Sequence, residues 1–275
     1  MPAQQVPHTM GLPDFKQMVL YTGNVMRTRL INRTKAHQKM SNTELIDAID
    51  DTIKTSLQGQ DAPSFRYFSD ESLLEVPDLR HNSIISIDDR DEVEVTAKLF
   101  STNGTLYPTD VDNSILLLQR LLGVSSIDSF VLSSSSPITA NKTWKSLENY
   151  YTQGVINKLG VSDLSEQELI SVLDNPEFEV KPSMNQVNYS CCDIPASMIK
   201  LAKQYGVDLV YTLDSKDILT KQELTQILQT TGVINTKKSM SPRWVLKYDV
   251  FVKNRSVVAD KGYIITGDIE ISPSS

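Results

Sequence analysis

The sequence predicts an α/β protein in which parallel strands are joined by crossover helices. From residue 83 onward, short apolar runs of strand length alternate with amphipathic segments of helix length, and the connections between them are short. This alternation is typical of a parallel sheet covered by helices. A length of 275 residues leaves one or two domains open, and a single α/β barrel is the simpler interpretation because such barrels form one domain of about this size. We therefore predict one domain over residues 1–275.

The first regular element is a helix that begins near Ser41. Ser41 and Glu44 have the spacing of a capping box, in which each residue satisfies a backbone N–H of the helix start. Apolar residues then recur every four positions, as on one face of a helix: Leu45, Ile49, Ile53 and Leu57. In contrast, residues 1–15 and 58–82 are predicted to be loops or partly disordered segments, and residues 58–82 show little periodicity. This second stretch is longer than a compact domain usually needs as a connection, so it is either an insertion or a mobile loop, with room for one short helix.

The β/α repeats follow this insertion. The predicted strands lie at residues 84–87, 93–100, 130–132, 158–161, 185–188 and 209–211. The predicted helices between them include 110–122, 143–151 and 195–205. Gly123 and Gly206 directly follow two of these helices, where a left-handed C-cap favours glycine.

Two later helices have their own start signals, the capping-box pairs Ser165 with Glu168 and Thr220 with Glu223. Near the end of the chain, residues 244–255 resemble a helix that runs into a last strand. Residues 261–268 alternate between polar and apolar side chains, as a hairpin strand does.

Charge and composition exclude several classes of partner. The formal charge is −7 and the pI is about 5.1, which opposes binding to nucleic-acid phosphates. The apolar run 115–122 is far shorter than the roughly 20 residues that cross a bilayer, and the first residues lack a secretory signal pattern. We expect a cytoplasmic protein. One basic cluster is either a solvated loop or a docking surface for an acidic partner: Arg27, Arg29, Arg33, Lys35 and Lys39.

The cysteines and histidines do not predict a metal site or a disulfide framework. Cys191 and Cys192 are adjacent, and a disulfide between neighbours would strain the peptide that joins them. They are either exposed loop thiols with a redox role or small half-buried residues. The three histidines, His8, His37 and His81, fall in polar segments, and no His/Cys pair has the spacing of a zinc site.

Polar residues at the predicted strand ends follow a pattern that resembles the aldo-keto reductases. Residues 160–165 and 181–192 look like the middle of such a reductase, with Ser162 and Gln186 at the positions that hold the nicotinamide carboxamide in that family. The resemblance implies a TIM-type (β/α)8 barrel of aldo-keto reductase kind. It also shows a departure, because Asp163 stands where the family has asparagine.

The catalytic side chains of that family are mostly missing. Reduction there needs a tyrosine proton donor, a lysine, an aspartate and a histidine, each with a distinct task. The resemblance places Lys98 at the lysine position and Ser133 at the histidine position. Tyr21 and Tyr67 lack the neighbours of the tyrosine. We therefore predict no catalytic residue and no carbonyl reduction, and Lys98 has the alternative role of pairing with a buried carboxylate.

The nucleotide site is also altered. Where the reductases read Ile-Pro-Lys-Ser after the last strand, this chain has residues 252–256, without the proline and with Lys253 and Arg255 shifted. Either could contact a phosphate. Ser162, Gln186 and Arg255 thus form a vestigial candidate site for a nicotinamide nucleotide, or else they satisfy loop backbone. We predict no cofactor.

A second resemblance is more specific. Residues 185–188, Asn-Gln-Val-Asn, together with 190–192, Ser-Cys-Cys, resemble the regulatory subunits of glutamate–cysteine ligase, and residues 20–24, 97–100 and 242–248 extend the match. It implies a non-catalytic barrel that forms a heterodimer with the catalytic ligase subunit, improves its use of glutamate and relieves its inhibition by glutathione. The alternatives are an NADPH-dependent aldo-keto reductase and a nicotinamide-nucleotide sensor.

Overall fold

The structure is a computed structural model that describes residues 4–5, 12–28, 41–58, 65–77, 84–134, 142–188, 193–215, 217–255 and 257–271. The chain divides into two compact units. Unit 1 comprises residues 1–83, 217–247 and 260–275, and unit 2 comprises residues 84–216 and 248–259.

The helices and strands in chain order are β1 (Gln4–Gln5), β2 (Gln17–Tyr21), α1 (Val25–Thr28), α2 (Ser41–Gln58), β3 (Arg66–Phe68), β4 (Leu73–Pro77), a 3-10 helix (Ile87–Glu92), β5 (Val93–Ser101), α3 (Pro108–Leu122), β6 (Ile127–Ser133), α4 (Lys142–Thr152), β7 (Ile156–Ser162), α5 (Glu166–Leu173), β8 (Met184–Val187), α6 (Ala196–Tyr205), β9 (Asp208–Tyr211), α7 (Lys221–Thr230), β10 (Lys238–Val252) and β11 (Val257–Ile271). Among the described residues, no helix is both long enough and apolar enough to cross a membrane.

Unit 2 contains the predicted β/α repeats. Strands β5, β6, β7, β8 and β9 are neighbours in that order, and each pair is parallel. Helices α3 to α6 connect them in sequence. Most residues of β5 and β6 are buried, as expected for parallel strands that are covered on both faces and therefore read as nearly continuous apolar runs. The predicted α/β arrangement of unit 2 is confirmed.

The predicted helix ends are confirmed as well. α3 ends at Gly123 and α6 at Gly206, both with φ of 69°, a left-handed conformation that glycine adopts without steric cost. The pairs Ser165–Glu168 and Thr220–Glu223 both form capping boxes.

Unit 1 is built around helix α2 and a small mixed sheet. Strand β2 pairs with β4 in parallel and with β11 in antiparallel orientation, while β3 pairs with β4 in antiparallel orientation. Leu45, Ile49 and Ile53 of α2 are fully buried, so the predicted amphipathic helix is confirmed, whereas Leu57 of the same predicted face is exposed at the helix end. In its first turn, the carboxylate of Glu44 accepts a 2.8 Å hydrogen bond from the buried Tyr263 hydroxyl and lies 2.6 Å from Lys261 Nζ.

Two predicted elements were wrong in type. Residues 84–87 do not form a strand, because the Ile85 N–H donates to the Leu122 carbonyl at the end of α3 and Ser86 starts the 3-10 helix. Residues 244–255 do not begin as a helix. They belong largely to β10, in which buried and partly buried residues alternate, a period of two that is typical of strands.

The predicted insertion 58–82 was also partly wrong. Residues 66–68 and 73–77 form β3 and β4, and Leu74 and Val76 are fully buried against the sheet. These residues reach the core because their strands pair with neighbouring strands, and the local sequence pattern does not predict that pairing. The rest of this insertion lies mostly outside the described residues, as do most of residues 1–15, the basic cluster beyond residue 28, all three histidines, Cys191 and Cys192.

Candidate functional site

Four of the predicted site residues meet at one edge of the parallel strands of unit 2. Lys98 lies in β5, Ser133 ends β6, Ser162 ends β7 and Gln186 lies in β8. The register pairs Phe100 with Ser133 and Ser162 with Gln186. We call this set, together with Asp214 beyond β9, the carboxyl edge. In α/β folds, ligands bind beyond the carboxyl ends of the strands.

Lys98 forms an ion pair at the carboxyl edge. Its Nζ lies 3.3 Å from Oδ2 of Asp214, and the two residues are 4% and 3% exposed. The same Nζ lies 4.9 Å from the centre of the Phe100 ring, within the range of a cation–π contact. The predicted alternative for Lys98, pairing with a buried carboxylate, is what the structure contains.

Sequence reasoning missed Asp214, the partner of Lys98. This residue follows β9 by three positions, in the mostly polar stretch 212–216. The signal was present, because polar residues that follow parallel strands gather at the same edge of the sheet. What the sequence lacked was a reason to choose Asp214 over the many other carboxylates of the chain.

Asp163 is committed to the local backbone and to its neighbour. One carboxylate oxygen accepts a 2.8 Å hydrogen bond from the Ser162 hydroxyl, and the other accepts a 3.0 Å bond from the Asn188 N–H. Its own N–H donates to the Gln186 carbonyl at 2.7 Å. The backbone of Asp163 is left-handed, with φ of 56°, a conformation that aspartate tolerates better than most residues. Asn188 continues the network by donating to the Asp214 carbonyl.

Two neighbouring amides at the carboxyl edge differ in how they are satisfied. Asn185 is fully buried, accepts from the Leu164 N–H at 3.4 Å and donates to the Leu164 carbonyl at 3.1 Å. Gln186 is half-buried, and its Oε1 is shielded from solvent without a hydrogen bond from the described residues. Gln186 therefore holds a buried acceptor that is free to take a donor.

Arg255 does not join this set. It is exposed in the turn between β10 and β11. In this turn the Lys253 N–H donates to the carbonyl of Glu92, the residue before β5 begins. The turn therefore lies at the amino end of β5, whereas Lys98 lies toward its carboxyl end. Antiparallel pairing of β10 with β5 separates Arg255 from the residues with which the sequence grouped it.

The two tyrosines considered as proton donors are both in unit 1. Tyr21 is buried in β2. The Tyr67 hydroxyl donates to the carbonyl of Asp14 at 3.0 Å. Ser133 is buried at the end of β6, and its hydroxyl cannot provide the imidazole that orients a carbonyl substrate.

Comparison with known proteins decides the family. A sequence model described as "Aldo/keto reductase family" matches residues 79–264. The chain belongs to the aldo/keto reductase family. Its fold is therefore the aldo-keto reductase kind of α/β fold that the sequence predicts.

Several curated proteins that are similar to this chain are named as ligase regulatory subunits. The chain is 32% identical over 260 residues to the glutamate–cysteine ligase regulatory subunit of Rattus norvegicus, and 31% identical over 264 residues to that of Homo sapiens, with 90% of both chains covered in each case. A putative regulatory subunit of Schizosaccharomyces pombe is 23% identical over 286 residues, covering 91% of this chain and 96% of that protein. The recognition made from residues 185–192 is confirmed.

Similarity to solved aldo-keto reductases is partial. An aldo-keto reductase from a Medee basin deep-sea metagenome library is 21% identical with a TM-score of 0.39, and the alignment covers 45% of this chain and 44% of that chain. The family assignment rests on the sequence matches.

This aldo/keto reductase family member also has a polar cavity of about 460 Å³ between α3 and α4, lined by residues that include Asp112, Lys145, Ser146 and Tyr150. The Ser146 hydroxyl donates to Asp112 at 2.9 Å. Burial raises the pKa of Tyr150, and a hydrogen bond to Asp112 raises it further. No residue that the sequence singled out lines this cavity. Within the described part of the chain, no group of three or more His, Cys, Asp or Glu side chains is arranged to hold a metal ion.

Proposed function

We propose that this chain is a non-catalytic regulatory subunit that binds the catalytic subunit of glutamate–cysteine ligase and increases its activity. The names of the relatives support the regulatory role. The observation that carries the proposal is the carboxyl edge, where Lys98 is paired with Asp214 and Ser162 with Asp163. The Ser162 hydroxyl, which the resemblance assigns to the nicotinamide carboxamide, here donates to the neighbouring Asp163 instead.

The carboxyl edge lacks the groups that would donate a proton to a carbonyl substrate and orient it. The resemblance places Ser133 at the family's histidine position, and neither Tyr21 nor Tyr67 has the neighbours of the family's tyrosine. A positioned general acid or base typically contributes ~10²- to 10⁴-fold to a rate. Without a tyrosine whose pKa it can lower, the Lys98 ammonium has no proton donor to act on. The chain therefore acts on a reaction that another subunit catalyses.

Regulation of this kind is a linkage effect. A subunit that binds one conformation of the catalytic subunit more tightly shifts the population toward that conformation by the difference in affinity. Allosteric coupling is typically about 1–3 kcal/mol, or roughly 5- to 150-fold in an affinity. We expect a cytoplasmic heterodimer in which the catalytic subunit binds glutamate better and is inhibited less by glutathione.

The test is enzyme kinetics on the catalytic subunit with and without saturating amounts of this chain. We expect a lower KM for glutamate and a higher inhibition constant for glutathione when the chain is present. A Ser133→Ala variant is the matched control, and it should activate as the wild type does because no chemistry is assigned to that hydroxyl. Superimposable kinetic curves in the presence and absence of the wild-type chain would rule out the proposal.

A second candidate function, a nicotinamide-nucleotide sensor, is favoured by one observation. The buried Oε1 of Gln186 is free to accept a hydrogen bond from a carboxamide. Three observations oppose this function. The Ser162 hydroxyl donates to Asp163, Asp163 is an acceptor-only carboxylate in place of an amide donor, and Arg255 lies at the other end of β5.

Calorimetric titration of NADPH separates the two candidates. We expect no binding by the wild type. Asp163→Asn replaces a carboxylate acceptor with an amide that can donate. Binding that appears only in this variant would identify Asp163 as the residue that prevents NADPH from binding. Micromolar or tighter binding to the wild type would instead favour the sensor, and turnover of an aldehyde with NADPH would favour the reductase.

A further inference from the structure

The segment of residues 84–92 presents two isoleucines to solvent at the start of unit 2. Ile87 is 90% exposed and Ile84 is 61% exposed. The 3-10 helix that begins at Ile87 buries none of its residues. Single exposed apolar residues are common on protein surfaces, whereas apolar residues grouped beside a polar rim indicate an interaction site. Ile84 and Ile87 are three positions apart, so the two exposed side chains are close neighbours in the chain.

This segment is held in place at both ends. The Ile85 N–H donates to the Leu122 carbonyl at 2.8 Å. The Arg90 guanidinium donates to the Asp128 carboxylate at 2.8 Å and to the Ser126 carbonyl at 3.0 Å. Ordering a flexible segment opposes binding, so a segment that is already ordered loses less conformational entropy when a partner binds.

The neighbouring glycine contributes to this order. A methyl group of Ile84 lies against Gly123, where a Cβ atom would come within 2.9 Å of it. The absence of a side chain at Gly123 thus leaves room for Ile84, and it also allows the φ of 69° that ends α3. Ile84 is therefore directed by packing on one side while most of its surface remains exposed.

A mostly acidic stretch follows the two isoleucines in the chain. Four carboxylates follow Ile87 within five residues: Asp88, Asp89, Asp91 and Glu92. The Arg90 guanidinium is committed to Asp128. The Lys253 ammonium donates to the Asp91 carbonyl at 3.0 Å, so the positive charge beside the segment lies at its carboxyl end, away from Asp88 and Asp89. In the part of the chain that the structure describes, no ion pair joins Asp88, Asp89 or Asp91 to a basic side chain. A complementary partner surface is therefore apolar with lysine or arginine at its border.

Charge also decides between kinds of partner. A second copy that met this segment across a two-fold axis would place the same four carboxylates opposite each other, and juxtaposed like charges are costly. An anionic lipid surface would repel them for the same reason. A basic protein surface is attracted, and the proposed function requires one protein partner.

We propose that segment 84–92 is a docking surface for the catalytic subunit of glutamate–cysteine ligase. Ile84 and Ile87 enter an apolar depression on that subunit, and Asp88 and Asp89 face basic side chains at its border. This inference rests on the proposed function, since it assigns a surface to the partner named there.

The test measures binding of the full chain to the purified catalytic subunit by biolayer interferometry. Ile87→Asp should raise the Kd about tenfold or more, as truncation of a central apolar contact does in other interfaces. Ile271→Asp is the matched control, because Ile271 is also an isoleucine and is 74% exposed but lies in unit 1. It should bind as the wild type does. Thermal unfolding of each variant confirms that the fold is retained.

Charge reversal gives an independent measurement. The double variant Asp88→Lys, Asp89→Lys should associate more slowly than the wild type, and the difference should shrink as salt screens the charges. Wild-type binding that both this variant and Ile87→Asp leave unchanged would overturn the docking surface but not the proposed function. A wild-type chain that does not bind at all would overturn both.

A rival surface is tested in the same experiment. β9 is the last strand of its sheet, and Tyr211 and Leu213 are exposed beside it. If Tyr211→Asp abolishes binding while Ile87→Asp does not, the interface lies at this strand edge and the docking surface proposed for segment 84–92 is wrong. Self-association of the wild type that Ile87→Asp removes would likewise contradict the choice of partner.

Discussion

The carboxyl edge and segment 84–92 differ in how far their side chains are buried and bonded within the chain. At the carboxyl edge, charged and polar side chains are buried and bonded to each other, as in Lys98 with Asp214 and Ser162 with Asp163. In segment 84–92, apolar and acidic side chains are exposed, and Ile87 has almost no contact with its own chain. The polar groups of the first region are bonded within the chain, whereas the apolar side chains of the second are exposed to solvent.

This difference separates stability from binding. A buried ion pair loses solvation when the protein folds, and it persists only because each charge compensates the other. Removing one member therefore affects folding. An exposed isoleucine contributes little to folding, because its surface remains in water in the native state. Its effect is expected when a partner covers it. The predictions below test this separation, beginning with the largest effect.

The largest expected effect follows from removing Asp214. Asp214→Ala leaves the Lys98 ammonium buried without its carboxylate, and breaking such a pair typically costs about 3–5 kcal/mol. Urea unfolding should show a lower free energy of unfolding by that amount. The double variant Lys98→Met, Asp214→Leu is the control, since it removes both charges and should recover most of the loss. Equal unfolding curves for wild type and Asp214→Ala would contradict the view that this pair is compensated.

A smaller difference is expected between the two adjacent amides. Asn185→Leu leaves the N–H and carbonyl of Leu164 without their partners, and each unsatisfied buried group costs about 1–3 kcal/mol. Gln186→Met removes a buried acceptor that has no hydrogen bond, so it should change the free energy of unfolding by less than about 1 kcal/mol. Chemical denaturation of both variants provides the comparison. A larger loss for Gln186→Met than for Asn185→Leu would reverse the roles assigned here.

The smallest effect on stability is expected in segment 84–92. Ile87→Ser should change the free energy of unfolding by no more than about 0.5 kcal/mol, as surface substitutions usually do. Differential scanning calorimetry should give nearly the wild-type Tm. A clear decrease in Tm would mean that Ile87 packs against the protein in solution, and the segment would then be part of the core rather than a surface for a partner.

Much of unit 2 could be predicted because its signals are local. Capping boxes at Ser165 and Thr220, and glycines after α3 and α6, mark helix ends through contacts within a few residues. Strand pairing is not local. Residues 73–77 became a buried strand because β2 and β3 lie beside them, and residues 84–87 failed to become one because Leu122 takes the Ile85 N–H. Neither outcome can be predicted from residues that are nearby in the sequence.

The candidate site divides in the same way. The positions of Lys98, Ser133, Ser162 and Gln186 at one edge could be predicted, since parallel strands align their carboxyl ends. The pairing of Lys98 with some carboxylate could also be predicted, because a buried ammonium needs compensation. The identity of Asp214 could not, since 116 positions separate the two residues in the chain. Lys98 lies in β5 and Asp214 follows β9, four strands away in the sheet order, so only the folded chain brings them within 3.3 Å.

By itself, the sequence determined the α/β class and the family, because both depend on residue identity and short-range spacing. Only the tertiary structure decided which polar groups have hydrogen-bond partners and which side chains are buried. In the folded protein the Asp163 carboxylate accepts hydrogen bonds from Ser162 and Asn188. Arg255 lies at the opposite end of β5 from Lys98, and Ile87 is exposed to solvent. The physical reason is that burial and hydrogen bonding depend on distances between residues that are far apart in the chain, and those distances exist only in the folded protein.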